Sequence, residues 1–64
     1  MNRPRFVVYR DTAGDWRWRL VAANGRTVAD SGEGYASRRG ARQAITTVVC
    51  LVQDVGERVE GAQA

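Results

Sequence analysis

The stretch that decides the fold runs from residue 16 to residue 25 and reads WRWRLVAANG. In its first part, apolar residues alternate with arginines. Trp16, Trp18 and Leu20 fall on one face, and Arg17 and Arg19 fall on the other. This period of two is typical of a strand with one buried and one solvated face. The Asn-Gly pair at positions 24–25 favours a hairpin, because a type I′ turn needs positive φ at both central residues. The stretch therefore predicts a strand that leads into a tight turn.

Two further strands are expected on either side of this stretch. Residues 5–10 read RFVVYR, which is rich in β-branched and aromatic residues and predicts a first strand. Residues 11–15 read DTAGD and predict a turn in which Gly14 takes positive φ. Residues 27–30 read TVAD and predict a short third strand that pairs back on the second. Three strands joined by two tight turns make an antiparallel meander.

A single helix is expected after the meander. Ser37 is a good N-cap, and Gly56 lies where a glycine would end the helix. The apolar residues with helical spacing are Ala41, Ala44, Ile45, Val48, Leu51, Val52 and Val55. The β-branched run 45–49 favours a strand by propensity alone, whereas the spacing and the cap favour helix. The predicted fold class is therefore α+β in the order β-β-β-α. The single domain spans residues 1–56 and is followed by a flexible tail, 57–64.

The composition limits how such a small chain is stabilised. A chain of 64 residues buries only about 60% of its unfolded surface, and domains of this size usually need a disulfide, a metal or a partner. With one cysteine and no histidine, an intrachain disulfide and a Cys/His zinc site are excluded. Cys50 is expected to be a small buried hydrophobe, and a lone thiol suits a reducing compartment.

A homodimer that shares a core is therefore predicted. Val49 falls outside the main apolar stripe, so the helical segment 45–49 is apolar nearly all round, which indicates that both sides are covered. The candidate dimer interface consists of Val48, Val49, Leu51 and Val52.

The basic charge leaves two interpretations open. The net charge is +3, and all ten basic residues are arginine, which either coding bias or selection for bidentate phosphate contacts would produce. The candidate nucleic-acid face on the sheet consists of Arg5, Tyr9, Arg17 and Arg19. The alternative is that these arginines are solvated, paired with neighbouring acids or part of an interface. A loop anion site near the helix N-terminus, assisted by Arg38 and Arg39, is a minor alternative.

Catalysis is not expected. Histidine is absent, and the acidic residues of the predicted turns and loops are typical turn formers. No motif indicates a cofactor, a metal or a small-molecule ligand. The chain contains no segment that resembles a signal peptide or spans a bilayer, so the expected location is the cytoplasm, with no membrane partner.

Several ordered motifs resemble the YegP-like family of small proteins built on a domain of unknown function. They are RWRL at 17–20, Asn-Gly at 24–25 and EGYAS at 33–37. The resemblance implies a β-β-β-α unit that occurs in tandem or as a homodimer of single copies. The apolar run 48–52 departs from the family, which tends to be basic and polar there. The family implies no activity, so the expected function is that of a non-catalytic, self-associating protein, an adaptor or stress-linked accessory, with nucleic-acid binding as the alternative.

Overall fold

The computed structural model describes residues 3–61 and has the predicted order of elements. The strands are β1 (Arg5–Arg10), β2 (Trp16–Val21) and β3 (Thr27–Asp30), and the helix is α1 (Arg38–Val55). The strands are antiparallel, and their order in the sheet is β1-β2-β3. The predicted fold class, a meander of three strands followed by one helix, is confirmed.

The register of β1 and β2 sorts their side chains into two faces. Val8 lies opposite Trp18, and Tyr9 lies opposite Arg17. Cross-strand partners share a face, so the apolar row of β2 lies with Phe6 and Val8, and its arginines lie with Arg5 and Tyr9. The rings of Phe6 and Trp18 meet edge to face with centroids 5.5 Å apart. The helix α1 contacts β1 and β2, so the sheet has one covered and one open face.

Both hairpins form where the sequence predicts them, but the second turn is of a different type. Gly25 has φ of 89°, whereas Asn24 keeps a negative φ. A type I′ turn needs positive φ at both residues, so the prediction of that turn type from the Asn-Gly pair is wrong. The amide of Gly25 donates to the carbonyl of Ala22, and the amide of Arg26 donates to Asn24 Oδ1 at 3.0 Å. These bonds make a three-residue loop with glycine in the left-handed position.

The loop between β3 and α1 is attached to the start of β2. Trp16 and Tyr35 form an isolated bridge in which the amide of each donates to the carbonyl of the other, at 2.9 and 2.7 Å. This bridge brings Gly34 against Asp15, so closely that a Cβ added at Gly34 would lie 2.6 Å from the Cβ of Asp15. The loop therefore continues the sheet edge and sets where the helix begins.

The helix begins and ends as predicted. The hydroxyl of Ser37 accepts from the amide of Gly40 at 3.0 Å, and the amide of Gly56 donates to the carbonyl of Val52. The β-branched run 45–49 is helical, so the cap and the apolar spacing outweigh strand propensity there. Residues 57–61 have no helix or strand. Part of the predicted tail, 62–64, and the first two residues of the predicted domain lie outside the described residues, so both limits stay predictions.

The core is small, with Trp18 on the covered face of the sheet and Ala41 on the first half of α1. Among residues 3–61, the buried apolar side chains are Trp18, Val21 and Ala41. From Val49 to Val55 every helical residue is exposed. A helix of 18 residues is about 27 Å long and a strand of six residues about 20 Å, so α1 runs past the sheet. The expectation that Cys50 is buried is wrong: it is exposed, because it follows Ala41 by two and a half helical turns and so lies on the opposite face of α1.

Candidate functional surfaces

The first candidate surface is the part of α1 that runs past the sheet, called here the helix overhang. Its apolar side chains and their exposed fractions are Val49 (39%), Leu51 (57%), Val52 (60%) and Val55 (51%). Large apolar side chains scattered singly over a surface are ordinary, but these four lie within seven residues of one helix. They form a contiguous apolar patch that the described part of the chain does not cover.

A shallow apolar groove lies between this overhang and the sheet. It has a volume of about 290 Å³. It is lined by Phe6, Leu20, Val48, Val49, Val52 and Gln53. Of the residues predicted to form a dimer interface, Val48, Val49 and Val52 line this groove, whereas Leu51 lies outside it on the exposed overhang. The structure brings all four onto one part of the molecule, and their role as an interface stays a prediction.

The second candidate surface is the open face of the sheet. The structure brings Arg5, Tyr9, Arg17 and Arg19 together there, because the register places β1 and β2 residues of this set on the same side. The guanidinium carbon of Arg19 lies 5.1 Å from the ring centroid of Tyr9, which is within the range of a cation–π contact. The tyrosine ring is thus partly occupied by its own neighbour.

Arg17 is held by an acidic partner from the first turn. Its Nε donates to Asp11 Oδ2 at 2.5 Å. The hydrogen bond from Arg17, with those from the amides of Asp15 and Ala13, holds the pKa of Asp11 below its usual value. The same bond raises the pKa of Arg17. Arg17 therefore fastens β2 to the turn, and the sheet face has less available positive charge than its sequence indicates.

The third candidate surface is a basic groove on the first half of α1, called here the arginine groove. It is lined by Arg38, Arg39, Arg42, Gln43 and Thr46 and has a volume of about 510 Å³. Within residues 3–61, the ion pairs are Arg17–Asp11 and Arg58–Glu60, so none of the groove arginines has a carboxylate within 4 Å. The loop anion site expected from the sequence includes Arg38 and Arg39 but not Arg42, Gln43 or Thr46, although positions 38, 42 and 46 repeat every four residues and so share a helix face.

Residues 3–61 contain neither a cluster of metal ligands nor a helix that could span a membrane. Across residues 3–61, no three acidic or cysteine side chains lie together in a way that would hold a metal ion. The helix of this same part of the chain is not long and apolar enough to cross a membrane.

Together, these features define a class of small α+β proteins in which one capped helix covers one side of a three-stranded meander. The chain belongs to the family described as a domain of unknown function (DUF1508), whose model matches residues 11–54. This agrees with the YegP-like resemblance of its motifs. The family description names no activity, so the function has to be argued from the surfaces.

Similar proteins occur in bacteria and archaea. A UPF0339 protein of Neisseria meningitidis serogroup B is 40% identical over 55 residues, which cover 78% of this chain and 96% of that protein. A UPF0339 protein of Agrobacterium fabrum is 41% identical over 44 residues, or 69% of each chain. The solution NMR structure of a protein from Haloferax volcanii has a TM-score of 0.79 and 46% identity, and the match covers 95% of this chain and 100% of that one.

Proposed function

We propose that this protein is a self-associating module that pairs with a second copy of itself through the helix overhang and the groove beneath it. The observation that carries the proposal is the exposure of Leu51, Val52 and Val55, together with Val49, at the end of a helix whose first half is packed on the sheet. The apolar stripe that faces the sheet continues into the overhang, where none of residues 3–61 covers it.

A second copy is favoured as the occupant because the chain is poorly stabilised alone. The buried apolar residues of the described part of the chain are one tryptophan, one valine and one alanine, which make a minimal core. Domains of this length usually add a disulfide, a structural metal or a partner subunit. The sequence has one cysteine and no histidine, so it offers neither an intrachain disulfide nor a Cys/His metal site. Association buries more apolar surface without any new chemistry.

The geometry suits a two-fold contact. In such a contact the same patch is used on both copies, and residue i of one touches residue j of the other and the reverse. The groove and the overhang are adjacent on one helix, with Val49 and Val52 belonging to both. The overhang of one copy would therefore enter the groove of the other while its own groove receives the partner.

The protein is placed by this proposal among non-catalytic accessory or adaptor proteins of the cytoplasm. Its acidic residues support this, because Asp11 is engaged by two backbone amides and Arg17, and the carboxylate of Asp30 accepts from the amide of Gly32. The exposed thiol of Cys50 suits a reducing compartment.

The alternative, nucleic-acid binding through the sheet face, has less support. Arg17 is committed to Asp11, and Arg19 lies over Tyr9 with Asp30 as its cross-strand neighbour. Only Arg5 of the candidate set has neither an acidic partner nor an aromatic one. A phosphate backbone would compete with contacts that already exist.

The oligomeric state of matched variants tests the proposal. Full burial of a leucine side chain contributes about 1.5–3 kcal/mol. Leu51 is 57% exposed, so the part still to be buried is worth about 1 kcal/mol. The change Leu51→Ala occurs twice in a dimer, so the dissociation constant should rise by about 30-fold. Leu51→Asp should abolish the dimer, because it would bury an unpaired charge.

The matched control is Val28→Asp on β3. Val28 is 61% exposed, as much as Leu51, but lies on the sheet. Sedimentation velocity over a range of concentrations should show a dimer for the parent protein and for Val28→Asp, and a monomer for Leu51→Asp. A parent protein that stays monomeric, or a dimer that is lost in Val28→Asp and kept in Leu51→Asp, contradicts the proposal.

A further inference from the structure

We propose that the arginine groove on the first half of α1 binds the phosphate groups of a nucleic-acid strand. This is a different surface from the open sheet face and a different activity from self-association. The proposal rests on the guanidinium groups of Arg38, Arg39 and Arg42, none of which forms an ion pair within residues 3–61, and on the side chains that complete the groove.

The groove has the dimensions and the donors that a phosphate backbone requires. Arg38 and Arg42 are about 6 Å apart along the helix axis, and the groove continues to Thr46, about 12 Å from Arg38. Arginine, glutamine and threonine are among the side chains that bind phosphate and sugar oxygens, and arginine binds phosphate in a bidentate manner. No large apolar side chain lines the groove, so it lacks the buried anchor of a protein–protein contact.

Folding alone does not account for this placement of charge. The N-terminal end of a helix carries partial positive charge, and cations in the first turn oppose it by about 0.3–1 kcal/mol each. The first turn of α1 holds Arg38 and Arg39 and no acidic residue. Elsewhere, Arg17 has Asp11 as its partner. The cluster on α1 has no such compensation among the described residues, and a bound polyanion would supply it.

The arginine groove and the proposed dimer contact occupy different parts of α1. The arginine groove ends at Thr46, and the helix overhang begins at Val49. A pair of copies would therefore present two grooves, and binding of both by one strand would raise the apparent affinity by an effective-concentration effect. Neither site needs the other in order to exist.

The test compares two triple variants that lose the same charge. In the first, Arg38, Arg39 and Arg42 are each changed to Gln; in the second, Arg5, Arg19 and Arg26, which are exposed elsewhere, are each changed to Gln. The probes are a fluorescent mixed-sequence DNA duplex and a fluorescent single-stranded RNA, followed by anisotropy over a salt series. Each lost phosphate contact should reduce the slope of log K against log salt by about 0.9 for duplex and about 0.7 for single strands. The first variant should thus lose about 2–3 units of slope, and the second should keep the parent slope.

Other results overturn the proposal. Equal losses of slope in the two variants would indicate non-specific attraction by the net positive charge. A larger loss of slope in the second variant would place the site on the sheet. Displacement of the probe by poly-glutamate at equal charge concentration would indicate an acidic protein partner. Absence of binding by the parent protein at low salt would also contradict it. Unfolding does not confuse the outcome, because removal of cations from the helix N-terminus should leave the melting temperature unchanged or raise it.

Discussion

Replacement of Gly34 by alanine should destabilise this protein, although the same change usually stabilises a loop. Elsewhere Gly→Ala at a compatible position adds about 0.4–1 kcal/mol by restricting the unfolded chain. Here the new Cβ would lie 2.6 Å from the Cβ of Asp15 and 2.9 Å from its Cγ. Carbon atoms prefer separations of about 3.5–4.0 Å, so roughly 1 Å of displacement is required.

The displacement has few ways to be absorbed. The bridge between Trp16 and Tyr35 directly adjoins the two clashing residues, and its hydrogen bonds are 2.9 and 2.7 Å long. Moving either backbone lengthens these bonds. Overpacking of this kind costs about 1–3 kcal/mol. For a domain of this size each kcal/mol lowers the melting temperature by about 4–8 °C, so we expect a fall of roughly 4–24 °C.

Thermal unfolding followed by circular dichroism measures this effect in a double-mutant cycle with Asp15→Gly. The second change removes the side chain that the new methyl group meets, so Gly34→Ala should cost much less in that background, with a coupling of about 1 kcal/mol or more. All four proteins are compared at one concentration, because association would make the melting temperature depend on it. A higher melting temperature for Gly34→Ala, or an equal cost in both backgrounds, would refute the steric reasoning.

Three other predictions concern the first turn, the helix cap and the thiol. Arg17 holds the folded pKa of Asp11 below its usual value, so the contribution of Asp11 to stability is present above about pH 4 and is lost as the pH falls through the folded pKa. Asp11→Asn should therefore flatten the dependence of the unfolding free energy on pH in that acid range, as measured by urea unfolding. Ser37→Ala should lower the unfolding free energy by about 1 kcal/mol, whereas Ser37→Asp should keep the value of the parent protein. Equal unfolding free energies for the two variants would show that the hydrogen bond from the amide of Gly40 is unimportant. Cys50 should react completely with a maleimide in the native protein, and a requirement for denaturant would contradict its exposure.

Patterns that are local in sequence predicted most of the fold. The alternation in β2, the glycine of the first turn, the Ser37 cap and the terminal Gly56 each depend on a few neighbouring residues, and the structure has them in place. The predicted type of the second turn was wrong: the side chain of Asn24 accepts a hydrogen bond from the amide of Arg26, and Asn24 keeps a negative φ. Asparagine favours such local side-chain bonds as well as type I′ turns, so the Asn-Gly pair alone does not decide the turn type.

The surfaces were harder to predict because they depend on lengths and on partners across the chain. The exposure of Cys50 follows from its position on the face of α1 opposite Ala41, and which face of the helix meets the sheet depends on packing across the chain. Arg17 pairs with Asp11 across the first turn. The alternation in β2 alone could not predict that this pairing removes the charge of Arg17 from the open sheet face. The arginine groove did have a signal, the fourfold spacing of positions 38, 42 and 46, which becomes informative once the helix is established.

The short edge strand β3 has a consequence for how copies of this protein meet. An open strand edge is a template on which other chains can add, and long flat edges promote fibrils. β3 offers four residues, ends in the charge of Asp30, and pairs with β2 through an irregularity between Leu20 and Val21 that increases local twist. Such an edge is a poor template for open-ended growth. The other edge, β1, is longer but begins and ends with the charged residues Arg5 and Arg10, which also disfavour strand addition. The sheet edges therefore favour contacts between copies that close on themselves over open-ended polymers.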